Sequence, residues 1–170
     1  MYNKFYPDYK FDRVMDIPDS FFERNNIKFA VLDIDNTLVP YTSPLPDENA
    51  RLFLNRLEDM GISYIFVSNN HEQRVRLFCD KLDGNAEYIF NARKPLVFKI
   101  KRAMRRLGAD KTNTVLIGDQ VFTDVYAANR AGILSVMVNP IEAKETPFFG
   151  MKRAMERVVL KNYKAKEWNE

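Results

Sequence analysis

The feature that most constrains the fold is an alternation of short β-rich runs with segments of helical periodicity. Residues 28–34, 62–67, 86–90, 113–117 and 133–138 form runs of apolar, β-branched and aromatic residues that favour strands. Between these runs, apolar residues recur at helical spacing, as at Ala50, Phe53, Leu54 and Leu57. Strands that alternate with helices form a parallel sheet covered by helices. We therefore predict a doubly wound, Rossmann-like α/β fold with about five parallel strands.

Length and composition bear on the number of domains. The chain has 170 residues, of which 46% are hydrophobic and 29% charged, an ordinary mixture for one globular domain. We expect residues 1–170 to form a single domain, with a motif-bearing core at about 28–138 and a basic helix at about 147–163. The single cysteine, Cys79, excludes a disulfide framework. The sequence contains no run of 18 apolar residues, which a transmembrane helix would need, so we expect a cytoplasmic protein.

Polar side chains lie at the ends of four of the predicted strands or in the loops that follow them. In chain order these residues are Asp33 and Asp35, then Ser68, then Lys94, and finally Asp119 and Asp124. In open α/β sheets, ligands bind in the crevice beyond the carboxyl ends of the strands. A lone aspartate in such a place commonly caps a helix, but four loops that meet at one edge indicate a functional site.

These residue types suit phosphoryl transfer assisted by a divalent metal. Asp33 and Asp119, held close together, would repel each other unless a cation lay between them, and Mg²⁺ prefers carboxylates, water and phosphate as ligands. A metal that neutralises the pair allows one carboxylate to attack phosphorus. Lys94 and Ser68 would stabilise charge on the transferred group. Asp35 could donate a proton to the leaving oxygen and later accept one from water.

The same residues resemble the four motifs of the haloacid dehalogenase-like (HAD) phosphatases in their order and spacing. The matching positions are Asp33-x-Asp35-x-Thr37-Leu38, Ser68, Lys94 and Gly118-Asp119-x4-Asp124. The resemblance implies a HAD-like fold over roughly residues 28–138. It also implies hydrolysis of a phosphomonoester through an aspartyl-phosphate.

The resemblance further assigns a role to each position. Asp33 would be the nucleophile and Asp35 the general acid and base. Mg²⁺ would be held by the Asp33 carboxylate, the Asp35 main-chain carbonyl and the Asp119 carboxylate. Asp124 would orient a metal-bound water or Lys94.

Longer stretches around the motifs resemble the YqeG branch of subclass IIIA of these phosphatases. The stretches are residues 33–39, 68–70, 92–95 and 118–125. That branch is similar to the mitochondrial and plastid phosphatidylglycerophosphate phosphatases. The resemblance therefore implies phosphatidylglycerophosphate as the favoured substrate.

The motif spacing leaves no room for a cap domain. Asp33 and Ser68 are 35 positions apart and Ser68 and Lys94 are 26 apart, and predicted helices and strands fill both gaps. An uncapped site cannot exclude water by closing over a small metabolite. We therefore expect a phosphate presented on a larger partner, which could be a protein, a nucleic acid or a lipid at a membrane surface. Of these, a lipid phosphate at an anionic membrane surface is favoured over nucleic acid.

Two basic segments could meet such a surface from a peripheral position on the inner face of the membrane. Residues 91–111 contain eight basic residues and one acid, and residues 148–170 contain six basic residues and three acids. Either segment could equally be a solvated helix face. The expected contact consists of Lys99, Lys101, Arg102, Arg105 and Arg106, helped by Lys152, Arg153 and Arg157.

Two other classes of function stay open on the sequence alone. One is a capless phosphatase that acts on a soluble sugar-acid phosphate, a nucleotide or a nucleic-acid end. The other is a non-catalytic binding protein on the same fold. The second is weakened because each catalytic position holds the required residue type.

Overall fold

One parallel sheet of six strands forms the centre of the protein. The computed structural model describes residues 4–82, 86–142, 147–161 and 163. The strands are β1 (Tyr9–Phe11), β2 (Phe29–Leu32), β3 (Ser63–Val67), β4 (Tyr88–Ile89), β5 (Thr114–Gly118) and β6 (Leu134–Val138). They lie in the order β1-β6-β5-β2-β3-β4, and every pairing is parallel. The predicted doubly wound α/β fold is confirmed.

Helices cover both faces of this sheet. They are α1 (Asp19–Arg24), α2 (Glu48–Asp59), α3 (Glu72–Cys79), α4 (Phe98–Leu107), α5 (Tyr126–Ala131) and α6 (Pro147–Leu160). Ala30 and Leu32 of β2 belong to the core cluster shared with α1, α2 and α3, whereas Val31 belongs to the cluster shared with α4 and α5. Successive strand residues point to opposite faces, so a strand covered on both faces is apolar along its whole length. Within the described residues, no helix is long and apolar enough to cross a membrane.

The prediction of about five strands missed β1. This strand of three residues runs beside β6, with Tyr9 opposite Val136. Tyr9 and Phe11 pack edge-on against the buried ring of Phe21. Three residues are too few to display a strand periodicity, and the pairing joins distant parts of the chain, so the sequence gives no local signal for it.

The sequence predicts a helix that opens at Pro95, because proline favours the first helical position, and another over residues 124–131, but the structure begins both at other residues. Pro95 does not open α4, which starts at Phe98. Residues 93–96 instead form a turn in which the Leu96 N–H donates to the Arg93 carbonyl at 2.9 Å. Asn69 holds the backbone there: the Lys94 N–H donates to Asn69 Oδ1 at 2.7 Å, and Asn69 Nδ2 donates to the Lys94 carbonyl at 3.2 Å. The helix expected from Asp124 starts instead with a π-helical turn at Val121–Val125 and continues as α5.

The connections around the site are short. Residues 33–62 contain one helix, α2, and the described residues between β3 and β4 contain one helix, α3. Neither connection carries an inserted domain in the part of the chain that the structure describes. The carboxyl ends of β2, β3 and β5 are therefore edged by loops.

Candidate active site

The site lies where the strand order of the sheet reverses. From β2 the chain proceeds to β3 and β4 on one side, and then places β5 on the other side of β2. Such a switch point opens a crevice at the carboxyl ends of the two central strands. Asp33 follows β2 and Asp119 follows β5, and the Asp33 N–H donates to the Ile117 carbonyl at 3.0 Å. The sheet register therefore sets these two aspartates side by side.

Three carboxylates form a buried cluster at this point. One oxygen from each of Asp33, Asp119 and Asp124 lies within 4.8 Å of the other two. Burial raises the pKa of Asp33 well above its ordinary value, and it raises the pKa of Asp119 to about 7 although Arg153 opposes the shift. Neighbouring buried carboxylates are poorly solvated and repel one another, which a shared cation relieves. The cluster is therefore suited to hold a divalent metal ion.

Lys94 lies buried between two members of the cluster. Its Nζ is 2.6 Å from Asp33 Oδ1 and 2.7 Å from Asp124 Oδ1. Burial alone would lower the pKa of Lys94, but Asp124 and Asp33 together raise it, so the amine stays an ammonium ion. Lys94 therefore joins Asp33 to Asp124, and Asp124 lies beside Lys94, which is one of the two groups that the resemblance implied it would orient.

Thr37 and Gly118 allow the three carboxylates and Lys94 to lie close together. Thr37 donates its hydroxyl to Asp33 Oδ2 at 3.3 Å and also lies 3.5 Å from Asp119 Oδ1. At Gly118, a Cβ atom would lie 2.4 Å from Cγ of Asp124, which is a severe overlap. Glycine at the end of β5 is thus what allows Asp124 to reach Lys94.

Asp35 turns away from the three carboxylates and towards the loop after β3. Its Oδ1 accepts from Arg74 Nη2 at 2.6 Å and from Arg74 Nε at 3.0 Å. Its Oδ2 accepts from Asn70 Nδ2 at 3.2 Å and lies 3.5 Å from the Ser68 hydroxyl. The backbone between the two aspartates and the loop turns at Asn36, which has a left-handed φ of 61°. The two aspartates of the first motif therefore face different groups.

The last helix reaches the site, which the sequence did not predict. Arg153 contacts the Asp119 carboxylate through Nη2 and donates from Nη1 to the Asp119 carbonyl at 2.9 Å. Glu156 is buried; it accepts from Arg153 Nη1 at 2.9 Å and from the Val121 N–H at 2.9 Å. Lys152 contacts the Gln120 side chain.

These contacts correct the expectation that Lys152 and Arg153 help to meet a membrane. Both side chains are engaged with the loop after β5, because α6 packs one side of its first turns against that loop. Arg157, one turn further along, is exposed as expected.

The basic face of α4 is exposed next to the site. Lys101, Arg102, Arg105 and Arg106 are exposed, as the helical spacing predicted, while Lys99 is half-buried. Two large apolar side chains are exposed between Lys94 and these basic residues: Leu96, before the helix, at 53% and Phe98, its first residue, at 64%.

Sequence reasoning missed Arg74 and the site contact of Arg153. Arg74 lies 39 residues from Asp35, and Arg153 lies 34 residues from Asp119. No motif or periodicity relates residues so far apart, so only the folded chain identifies them.

Comparisons with known proteins bear on the family of this chain. The sequence model of the family described as HAD-hydrolase-like matches residues 91–141. The chain is 33% identical to the probable phosphatase YqeG of Bacillus subtilis, and the match covers 100% of both proteins. It is 32% identical to phosphatidylglycerophosphate phosphatase 1, chloroplastic/mitochondrial, of Arabidopsis thaliana over 83% of this chain and 43% of that protein.

A solved structure shares the fold. The 4-nitrophenylphosphatase of Thermotoga maritima superposes with a TM-score of 0.55 at 13% identity, over 74% of this chain and 90% of that one. With the full-length similarity to YqeG, these matches show that the protein is an enzyme with a HAD-type phosphatase fold. The chain belongs to the YqeG family of HAD-type phosphatases.

Proposed function

We propose that the protein is a Mg²⁺-dependent phosphomonoester hydrolase that works through an aspartyl-phosphate, with phosphatidylglycerophosphate as its favoured substrate. The observation that carries the proposal is the placement of Asp33. Its carboxylate touches the ammonium of Lys94 at 2.6 Å and belongs to the cluster that can hold a metal ion. A carboxylate surrounded by cations can approach an anionic phosphate, which it would otherwise repel.

The side chains divide the reaction between them. A carboxylate oxygen of Asp33 forms a bond to phosphorus, the bond from phosphorus to the leaving oxygen breaks, and Asp35 gives its proton to that oxygen. Asp35 then takes a proton from water, whose oxygen attacks the aspartyl-phosphate and frees Asp33 and inorganic phosphate. Lys94 and Ser68 stabilise the charge on the phosphoryl oxygens in both steps.

The metal ligands in this proposal are the Asp33 and Asp119 carboxylates and the main-chain carbonyl of Asp35. Asp124, which pairs with Lys94, keeps that ammonium in place or orients a metal-bound water. Mg²⁺ bound there would neutralise the carboxylates and polarise the phosphoryl group. In the same proposal, residues 1–170 act as one domain without a cap.

The surface beside the site supports a lipid phosphate as substrate. Four exposed basic residues of α4 lie on the helix that follows Lys94, and exposed Leu96 and Phe98 lie between Lys94 and those residues. Each basic residue near an anionic leaflet contributes about 1 kcal/mol of binding. The name of the Arabidopsis relative points to the same substrate class. We propose a cytoplasmic enzyme that works peripherally at an anionic membrane surface.

The direct test is phosphate release from a panel of substrates. Phosphatidylglycerophosphate in vesicles, a sugar-acid phosphate, a nucleotide and p-nitrophenyl phosphate are each incubated with the enzyme, in EDTA and in Mg²⁺. We expect Mg²⁺-dependent release that is fastest from the lipid. The Asp33→Asn variant should lose several orders of magnitude in turnover, because an amide cannot attack phosphorus.

Each half of the proposal can fail separately. Near-normal turnover by Asp33→Asn would overturn the aspartyl-phosphate. Faster release from a soluble sugar-acid phosphate or nucleotide than from the lipid would keep the chemistry and overturn the lipid substrate.

A further inference from the structure

We infer that Arg74 is a positioning residue that selects which oxygen of Asp35 carries the transferred proton. The inference rests on the proposed function, in which Asp35 is the general acid. Arg74 itself does not touch the reacting atoms. Its guanidinium holds Oδ1 of Asp35 in hydrogen bonds, so that Oδ2 is the oxygen that transfers the proton.

The contacts of Arg74 are numerous for one side chain. Besides its two hydrogen bonds to Asp35 Oδ1, Arg74 Nη2 donates to the carbonyls of Tyr41 at 2.9 Å, Ser43 at 2.8 Å and Pro40 at 3.3 Å. The side chain is only 12% exposed. One cation therefore joins the general acid to the loop that follows it.

The local sequence fixes the position of Arg74. His71 caps the start of α3, and its Nδ1 accepts the N–H of Arg74 at 3.2 Å. This places Arg74 in the first turn of the helix, directly after the loop that carries Ser68 and Asn70. The arginine can thus reach Asp35 from the same loop that supplies the partners of the other oxygen.

The two oxygens of Asp35 have different kinds of partner. Oδ1 faces the guanidinium cation of Arg74, whereas Oδ2 faces the neutral amide of Asn70 and the hydroxyl of Ser68. Neutral, longer contacts are easily exchanged for a leaving group or a water molecule, but a charge-assisted pair of hydrogen bonds is not. The proton therefore moves from Oδ2 to the leaving oxygen, and Oδ2 later receives a proton from water.

The loop contacts give this arrangement a second consequence. The three carbonyls that Arg74 contacts belong to the irregular segment 40–43, in which the Pro40 carbonyl also accepts from the Ser43 N–H at 3.0 Å. The guanidinium supplies this segment with a donor that regular secondary structure does not provide. Movement of that loop would therefore disturb the orientation of Asp35. Arg74 thus links this loop, which forms a wall of the uncapped site, to the general acid Asp35.

The test compares two arginines of the same helix. Arg74→Ala removes the contact to Asp35, and Arg76→Ala is the matched control, since Arg76 is exposed and pairs with Asp80 four residues later. Each variant is assayed with p-nitrophenyl phosphate, whose leaving group needs little protonation, and with glycerol phosphate, whose leaving group needs a proton.

We expect Arg74→Ala to lose about tenfold more kcat on glycerol phosphate than on p-nitrophenyl phosphate, because only the former depends on a positioned acid. Arg76→Ala should match the wild type on both substrates. Arg74→Lys should recover part of the difference. In the Asp35→Asn background, which lacks the acid, Arg74→Ala should add no further preference between the two substrates.

Two results would count against the inference in different ways. Equal losses of kcat on both substrates, in a variant that Arg74→Lys does not rescue, would make Arg74 a structural residue and leave the proposed function standing. Absence of hydrolysis of p-nitrophenyl phosphate, of glycerol phosphate and of phosphatidylglycerophosphate by the wild type would overturn the proposed function and this inference together. Urea denaturation shows whether Arg74→Ala folds; if it does not, Arg74→Lys carries the same comparison.

Discussion

The guanidinium of Arg153, in the last helix, contacts the carboxylate of Asp119, at the end of the central strand β5. The same arginine binds the Asp119 carbonyl, and its neighbour Glu156 binds the backbone of the next loop. Asp119 also belongs to the carboxylate cluster that can hold a metal ion. The C-terminal helix and a metal ion would therefore share one carboxylate.

Replacing Arg153 with Gln should destabilise the metal-free protein. A buried carboxylate that loses a charged hydrogen-bond donor costs about 2 kcal/mol of unfolding free energy. Mg²⁺ should return part of this loss, because it supplies another cation to Asp119. Urea denaturation in EDTA and in Mg²⁺ measures both effects.

The control for this prediction is Arg157→Gln, one turn further along α6, where the arginine is exposed. We expect that variant to change stability little and to respond to Mg²⁺ as the wild type does. If Arg153→Gln loses the same unfolding free energy with and without Mg²⁺, the prediction that Arg153 and a metal ion share Asp119 is wrong.

The stability of the metal-free protein should depend on pH through Asp119. Burial raises the pKa of Asp119 from the ordinary 3.8 to about 7, so the folded protein keeps a proton that the unfolded chain has already released. The contribution of Asp119 to stability is therefore complete below about pH 4 and is lost as the pH rises through about 7. The measurement is the pH dependence of unfolding free energy in EDTA, read as the difference between the wild type and Asp119→Asn. If the wild type instead gains stability relative to Asp119→Asn as the pH rises, the prediction is wrong. Mg²⁺ should make the unfolding free energy of the wild type depend less on pH.

Gly118→Ala should damage the site through Asp124. The added Cβ would lie 2.4–2.8 Å from three atoms of the Asp124 side chain, which is buried and is held by Lys94. We expect a loss of about 2 kcal/mol of unfolding free energy from overpacking, and at least about tenfold lower turnover of p-nitrophenyl phosphate as Asp124 leaves Lys94.

Gly150→Ala is the matched control, since a Cβ at Gly150 in α6 meets no atom within 4 Å. It should leave turnover unchanged and should stabilise the helix by up to about 1 kcal/mol. Similar turnover in both variants would show that Asp124 tolerates displacement.

Reversing two charges on α4 should slow hydrolysis of a lipid phosphate without slowing hydrolysis of a soluble one. Arg102→Glu with Arg105→Glu should weaken sedimentation with phosphatidylglycerol vesicles and slow hydrolysis of lipid phosphate, and the difference from the wild type should shrink as salt screens the charges. Hydrolysis of p-nitrophenyl phosphate should barely change, because neither arginine contacts the site.

The control makes the same change of charge elsewhere, with Lys10→Glu and Lys28→Glu, which are exposed on β1 and before the amino end of β2. It should bind vesicles nearly as well as the wild type. Equal losses in both double variants, or no vesicle binding by the wild type, would make the basic face of α4 an ordinary solvated surface.

The central part of the fold and the members of the site followed from the sequence. Strands β2, β3 and β5 are buried on both faces, so they are continuous apolar runs, and the polar residues that end each run mark the edge where ligands bind. Asp33 follows β2 in this pattern, Asp119 and Asp124 follow β5, and Lys94 follows the short strand β4. The exposed basic face of α4 also followed, because helical spacing separates its apolar stripe from its charges.

Only the tertiary structure decided which groups surround these residues. Arg74 reaches Asp35, and Arg153 reaches Asp119, through loops and helix packing that join positions more than 30 residues apart. The prediction that Arg153 faces a membrane was wrong. The spacing of charged residues along a helix shows which of them share a face, but it does not show what that face packs against. Local periodicity determines which residues form strands and helices, whereas the partners of a polar side chain depend on long-range packing that no short window of sequence contains.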